Sequence, residues 1–301
     1  DETKMNNNDS TKNETTEPAV VLTERIALPN NPDRTCIIIS LNRPESLNCF
    51  NTAVCHDLAK IFQEIHNEAT TSSTNLAAVI LTGNGSAFCA GADLTDPPNP
   101  LVQSSDLWEH LQCNPVHFMD RCGVPIIGAV HGYCITGGFE LALACDFLVG
   151  DDSTKFKDTH VKFGLAPCWG LSQKLQRRVG SGRAKWISFS ATTVRAQQAL
   201  DWGLLNEIVS GDSANESTYG NNSAVLARAI EMADEIAKND TVMVRRYKRA
   251  LVEGGEMDLM HGLQRERELG ISHYLEVMND GSTFEGAKEF ITSDSRPRSR
   301  L

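Results

Sequence analysis

Three apolar runs limit what this chain can fold into. Thr35-Cys36-Ile37-Ile38-Ile39-Ser40-Leu41, Leu76-Ala77-Ala78-Val79-Ile80-Leu81-Thr82 and Pro125-Ile126-Ile127-Gly128-Ala129-Val130 are nearly continuous in apolar residues, not alternating. Strands of that kind are covered on both faces, as in a parallel sheet with helices on either side. Each run stops at a turn signal: Asn42-Arg43-Pro44, Gly83-Asn84-Gly85 and Gly132. Pro44 cannot donate to a strand ladder, so the first run ends there. Between the first two runs, Val54, Leu58, Ile61, Phe62 and Ile65 fall on one face of a helix over residues 51–67. A further strand is predicted over Cys145 to Val149, preceded by a helix from Gly138 to Ala144. Strands alternating with helices predict an α/β layered fold.

The rest of the chain divides around that core. Residues 1–18 are almost purely polar and are expected to be disordered. Residues 19–210 hold the strand–helix core, with an irregular proline-bearing connection over 95–115. Residues 211–223 are rich in Ser, Asn and Gly and read as a surface insertion. Residues 224–293 carry helical patterns at Val225 to Ala237, Thr241 to Val252, Leu259 to Leu275 and Thr283 to Ile291. Residues 294–301 form a basic tail. No apolar stretch is long enough to span a bilayer. The net charge of −11 argues against nucleic acid as a partner, because phosphates would be repelled. The nine cysteines are odd in number and include no CxxC pair, and no secretory signal is visible. They read as reduced, mostly core-filling thiols, with no zinc site.

Two small-residue turns carry the chemical signal. Ser86-Ala87-Phe88-Cys89-Ala90-Gly91-Ala92-Asp93-Leu94 and His131-Gly132-Tyr133-Cys134-Ile135-Thr136-Gly137-Gly138-Phe139-Glu140 each follow an apolar run. If each turn sits just past a strand end, the N–H groups of Ala92 and Gly137 are free of a ladder. Two such donors aimed at one oxygen stabilise an enolate. Taken singly, either turn also reads as an ordinary glycine turn.

Taken together and in order, Leu41-Asn42-Arg43-Pro44, Ala87 to Leu94, Gly132-Tyr133, Gly137 to Asp146, Phe163-Gly164-Leu165 and Ala199 to Asn206 resemble the crotonase (enoyl-CoA hydratase/isomerase) superfamily over about residues 20–290. The segment from Asp158-Thr159-His160 to Leu175 resembles plant peroxisomal enoyl-CoA hydratases in particular. The resemblance implies a ββα-spiral core, a C-terminal helical region, and a trimer or dimer of trimers. It implies acyl-CoA thioesters as substrates, with coenzyme A as part of the substrate and no separate cofactor or metal. By motif position the oxyanion donors are the amides of Ala92 and Gly137. Ala90, Gly91, Ala92, Asp93 and Leu94 line the thioester and pantetheine, with an acyl pocket built from the 95–115 connection and a neighbouring subunit's C-terminal helices. The activity implied is addition of water across the 2,3 double bond of a 2-trans-enoyl-CoA, a hydro-lyase step of fatty-acid β-oxidation.

Glu140 occupies the family's first glutamate position and fits the base that deprotonates water. The family's second glutamate lies ten residues before Gly170, and here that residue is His160. Several readings stay open at this point. His160 acts as the acid that protonates C2; Asp158 substitutes, although in an extended segment it points the other way; Glu140 moves both protons; or His160 is a packed histidine without a role. Asp93 is read as ordering its loop. Trp169 reads as shaping the acyl pocket or as core. Arg43, Lys174, Arg177 and Arg178 are candidates for CoA phosphates and equally read as solvated charges. A double-bond isomerase, a CoA-ester decarboxylase or hydrolase on the same oxyanion hole, and a catalytically weak acyl-CoA-binding subunit remain the alternatives. Against a dienoyl-CoA isomerase stands Cys168, at the place where those enzymes carry an Asp. The chain ends Ser299-Arg300-Leu301, a variant of the Ser-Lys-Leu address, which predicts an import receptor as partner and a peroxisomal location.

Overall fold

The computed structural model describes residues 18–70, 74–95, 111–210 and 223–280. The polar tail except Pro18, the 211–223 insertion except Ser223, most of the 95–115 connection, the predicted 283–291 helix and the Ser299-Arg300-Leu301 tail lie outside them. The strands are β1 (Val21–Ala27), β2 (Thr35–Leu41), β3 (Leu76–Gly83), β4 (Ile126–Val130), β5 (Tyr133–Ile135), β6 (Phe147–Asp151), β7 (Lys155–Lys157), β8 (Thr193–Arg195) and β9 (Glu207–Val209). The helices are α1 (Thr52–Ala69), α2 (Pro115–Arg121), α3 (Gly137–Leu143), α4 (His160–Phe163), α5 (Leu171–Val179), α6 (Ser181–Ser190), α7 (Ala196–Asp201), α8 (Ser223–Ala237), α9 (Thr241–Gly255) and α10 (Leu259–Asp280).

Six strands form one sheet in the order β1-β2-β3-β4-β6-β9, parallel except for β1 at the edge. Three short strands form a second sheet, β5-β7-β8. Two successive turns of the spiral each send one strand to the large sheet, a three-residue strand to the small one, and then a helix: β4, β5, α3, followed by β6, β7, α4. This is the α/β ββα arrangement expected from the resemblance.

Every residue of β3 and β4 is buried, which is why their sequences do not alternate. Successive side chains enter two separate cores. On one face Ile37, Ile39, Leu81 and Leu148 pack with Val54, Leu58 and Phe62 of α1. On the other, Ile38, Ile80, Ile127 and Val149 pack with Val225, Ala229, Ile230 and Ala233 of α8. Helix α1 begins at Asn51, whose side chain accepts from the Val54 N–H at 3.1 Å, the usual capping bond. The first core lies directly beneath α3, and so anchors the element that carries Glu140.

Candidate active site

The two small-residue turns meet because their flanking segments run side by side. Cys89 and Cys134 form a parallel bridge, with the Cys89 N–H donating to the Tyr133 carbonyl and the Ile135 N–H to the Cys89 carbonyl, each at 3.0 Å. Three residues further along both segments come Ala92 and Gly137. Gly91, at φ 103°, turns its backbone against the second segment; a side chain there would meet the Ile135 carbonyl at 3.0 Å. On its other side Ala92 is bridged to Phe50: the Phe50 N–H donates to Gly91 and the Asp93 N–H to Phe50. That pairing uses the amides on either side of Ala92 and leaves its own N–H pointing away from Phe50. The Gly137 N–H is the first of α3, where no helical acceptor exists. Neither N–H has an acceptor among the described residues.

Glycine is also a packing requirement in α3. A Cβ on Gly137 would lie 2.5 Å from the Phe50 ring, and one on Gly138 would lie 2.2 Å from the Cys89 carbonyl oxygen. The helix therefore starts flush against the neighbouring segment. One turn on, Glu140 is only 1% exposed. Its Oε1 accepts from the Trp169 N–H at 2.9 Å and the Leu171 N–H at 3.1 Å, at the start of α5. Its Oε2 faces His160, with Nε2 at 3.9 Å. Burial raises the Glu140 pKa above the ordinary carboxylate range, although the two amides and the imidazole oppose it.

His160 is itself buried, and its Nδ1 lies 2.7 Å from Oδ1 of Asp158. The same oxygen accepts from the His160 backbone N–H at 3.0 Å. Asp158 does not point away, as alternation would have it: β7 ends at Lys157, and Asp158 lies in the turn that opens α4. Burial alone would lower the His160 pKa, but the hydrogen bond to Asp158 and the charges of Glu140 and Asp158 raise it overall. Burial would raise Asp158, yet hydrogen bonds from His160 and Ser188 hold it below its ordinary value. The result is a buried line of carboxylate, imidazole and carboxylate, with the Nε2 edge of the imidazole turned to Glu140.

The other predicted residues divide. Asp93 accepts from the Thr95 N–H and hydroxyl and pairs with Arg43 at 2.9 Å, so both are engaged within the loop. Leu94 is exposed, while Ala90, Ala92 and Asp93 are partly so. Lys174 pairs with Asp120, Arg177 donates to the Gln173 carbonyl, and Arg178 donates to the Cys145 and Asp146 carbonyls. Trp169 is buried and stacked on Phe50 at 4.6 Å, beside Gly137. Cys168 is exposed, but partial desolvation of its sulfur and the nearby Glu140 charge push the thiol up to about 11, so it stays protonated. Phe50 was not legible as a site residue: it lies outside both turns, and only the tertiary bridge brings it there. No three His, Cys, Asp or Glu side chains cluster as a metal site among the described residues.

The sequence model of the Enoyl-CoA hydratase/isomerase family matches residues 32–291. The chain belongs to that family. It is 38% identical over 266 residues to the "Probable enoyl-CoA hydratase 1, peroxisomal" of Arabidopsis thaliana, covering 88% of this chain and 92% of that one. It is 30% identical over 232 residues to the "Short-chain-enoyl-CoA hydratase" of Clostridium acetobutylicum, covering 77% and 83%. A crystal structure of an enoyl-CoA hydratase from Bacillus anthracis superposes with a TM-score of 0.73 at 29% identity, covering 90% of this chain and 95% of that one. Family membership makes the line from Asp158 to Glu140, next to two unclaimed backbone donors, the place to look for chemistry.

Proposed function

We propose that the protein adds water to a 2-trans-enoyl-CoA to give a 3-hydroxyacyl-CoA. The observation that carries this reading is Glu140, with one oxygen tied by two amides and the other turned toward His160 at 3.9 Å. A single water at ordinary hydrogen-bond distance from both side chains completes a triangle on that edge. As its oxygen bonds to C3, the Glu140 carboxylate takes a proton from it. The 2,3 electron pair moves toward the thioester carbonyl, and the N–H groups of Ala92 and Gly137 stabilise the enolate oxygen. His160, whose charged form Glu140 and Asp158 favour, gives a proton to C2. The next turnover starts once Glu140 passes its proton back to the imidazole. Asp158 touches neither water nor substrate in this scheme; it orients the ring and favours its charged form. Ala90 to Leu94 line the thioester and pantetheine, and the reaction needs no cofactor beyond the CoA of the substrate.

The peroxisome is the proposed location, supported by Ser299-Arg300-Leu301 as a ligand for the import receptor and by the name of the Arabidopsis relative. Fatty-acid β-oxidation is the proposed setting. A homotrimer or dimer of trimers is the proposed assembly, supported by the apolar side chains exposed on α9 and α10.

The test is loss of the conjugated enoyl absorbance of crotonyl-CoA, with product identification against 3-enoyl and 2,4-dienoyl esters. Glu140→Gln keeps an acceptor for the two amides but loses the base, and is expected to lower kcat by about 10²–10⁴-fold. A Glu140→Gln rate equal to the parent's would refute the assignment. Conversion of 3-enoyl but not 2-enoyl esters would make the protein an isomerase. Tight acyl-CoA binding without turnover would make it a binding subunit.

A further inference from the structure

Thr136, immediately before Gly137, has φ 52° and ψ −108°. That lies outside even the left-handed well occupied by Leu47 at φ 52° and ψ 35°. It is close to the first central position of a type II′ turn, which glycine dominates. For a β-branched residue it is a genuine outlier, and such a conformation persists only when its surroundings over-determine it.

The restraints are visible on every polar atom of Thr136. Its N–H donates to the Lys157 carbonyl at 2.8 Å, and its carbonyl accepts from the Glu140 N–H at 2.9 Å. Its hydroxyl oxygen accepts from the Thr159 N–H at 3.1 Å and also pairs with the Thr159 hydroxyl. Both threonine side chains are buried. A Cβ on Gly91 would lie 3.7 Å from the Thr136 Cβ and 3.9 Å from the Gly137 nitrogen, so Thr136 also backs the other turn.

The peptide plane between Thr136 and Gly137 explains why this matters. The plane is rigid, so its carbonyl and its N–H point in opposite directions. With the carbonyl directed along α3 to Glu140, the Gly137 N–H is directed out of the helix start. Relaxation of Thr136 toward a common ψ would rotate that plane and take the donor away from the substrate oxygen. We propose that Thr136 and Thr159 are positioning residues, whose buried hydroxyl pair holds the Gly137 N–H on the enolate oxygen. The proposal rests on the hydratase reading of the site. Thr159 precedes His160 directly, so the pair also joins the oxyanion turn to the segment bearing the acid.

An N–H that is misdirected, not lost, weakens the enolate more than the ground-state thioester. The experiment compares the parent with Thr136→Gly, Thr136→Ser and Thr159→Val. It measures kcat and KM on crotonyl-CoA, and binding of acetoacetyl-CoA, an enolate analogue, against butyryl-CoA. Glycine adopts the Thr136 backbone conformation without strain, so Thr136→Gly is expected to fold. Its kcat and its enolate affinity are expected to fall about 10-fold, short of the 10²–10³ typical for loss of a whole donor. KM and butyryl-CoA binding are expected to stay within about 2-fold. Thr136→Ser keeps the hydroxyl and is expected to stay near the parent, while Thr159→Val loses about 3-fold in kcat, since its N–H remains. Parent-like kcat and enolate preference in Thr136→Gly would overturn the clamp alone, as would a rise in KM at constant kcat. A parent with no preference for the enolate analogue would overturn the site reading, and the clamp with it.

Discussion

The pair Asp158–His160 sets an expectation for pH that the individual residues do not. The folded His160 pKa is raised, so the interaction stabilises the fold below the unfolded histidine value of about 6.5 and is lost as pH rises through the folded value. The folded Asp158 pKa is lowered, so its share is present above about 3.9 and is lost as pH falls through the folded value. Both contributions overlap between about pH 4 and 6.5, and there Asp158→Asn is expected to cost the most thermal stability. The same substitution removes a cause that raises His160. The alkaline limb of kcat/KM, where the acid loses its proton, is therefore expected to move to lower pH, as read from a pH–rate profile. A limb that stays in place in Asp158→Asn would show that His160 is not the group reported there. At this scale Glu140, Gly137 and Ala92 were legible because each sits within a short motif. The Asp158–His160 contact was not, because it depends on where β7 stops, and a three-residue strand leaves no periodicity to show that.

Among the elements, legibility followed burial. β2, β3, β4 and α1 could be read within a residue or two because their patterns are set by two-sided or one-sided burial. β5, β7, β8 and β9 have only three residues each and emerge only from pairing with their neighbours. β1 exposes five of its seven residues and takes its register wholly from β2. β6 starts two residues later than its apolar run suggests. Asp146 is used instead to accept from the Ile126 N–H and to pair with Lys248 of α9. The spiral brings α3 so close to the Cys89 segment that Gly138 has no room for a methyl group. The obstructing atoms are mostly backbone, which cannot turn aside. Gly138→Ala is therefore expected to destabilise the protein by about 1–3 kcal/mol, the usual cost of overpacking, measured as a lower urea midpoint at unchanged slope. It should also lower activity, since α3 carries both the Gly137 donor and Glu140. A Gly138→Ala protein as stable as the parent would mean that α3 does not sit flush on that segment.

For the whole molecule, the informative region is the α9–α10 hairpin. It is joined to the body by Lys248, whose ammonium donates to the Val124 carbonyl and to Asp146. Beside that contact, an apolar hollow of about 750 Å³ opens between α9 and the ends of β4 and β6, with Tyr247 and Leu251 on its rim. Tyr247, Leu251, Leu259 and Met260 are all more than half exposed, and Leu259 reaches 78%. Along α10, Ile271, Tyr274 and Leu275 are spaced as one helical stripe and are also mostly exposed. A single chain gains nothing from leaving a stripe of that size in water; contiguous apolar surface of this kind marks a protein–protein face. If the stripe is the contact between copies proposed above, sedimentation of the parent should give three or six times the chain mass. Ile271→Asp with Leu275→Asp places charge in that contact, and should shift the mass toward one chain. The substitutions lie on exposed positions away from both cores, so the far-ultraviolet circular dichroism of the dissociated chain should match the parent. A parent that sediments as one chain at micromolar concentration would remove the assembly from the proposal. A double variant that keeps the parent's assembled mass would move the contact to another face of the hairpin.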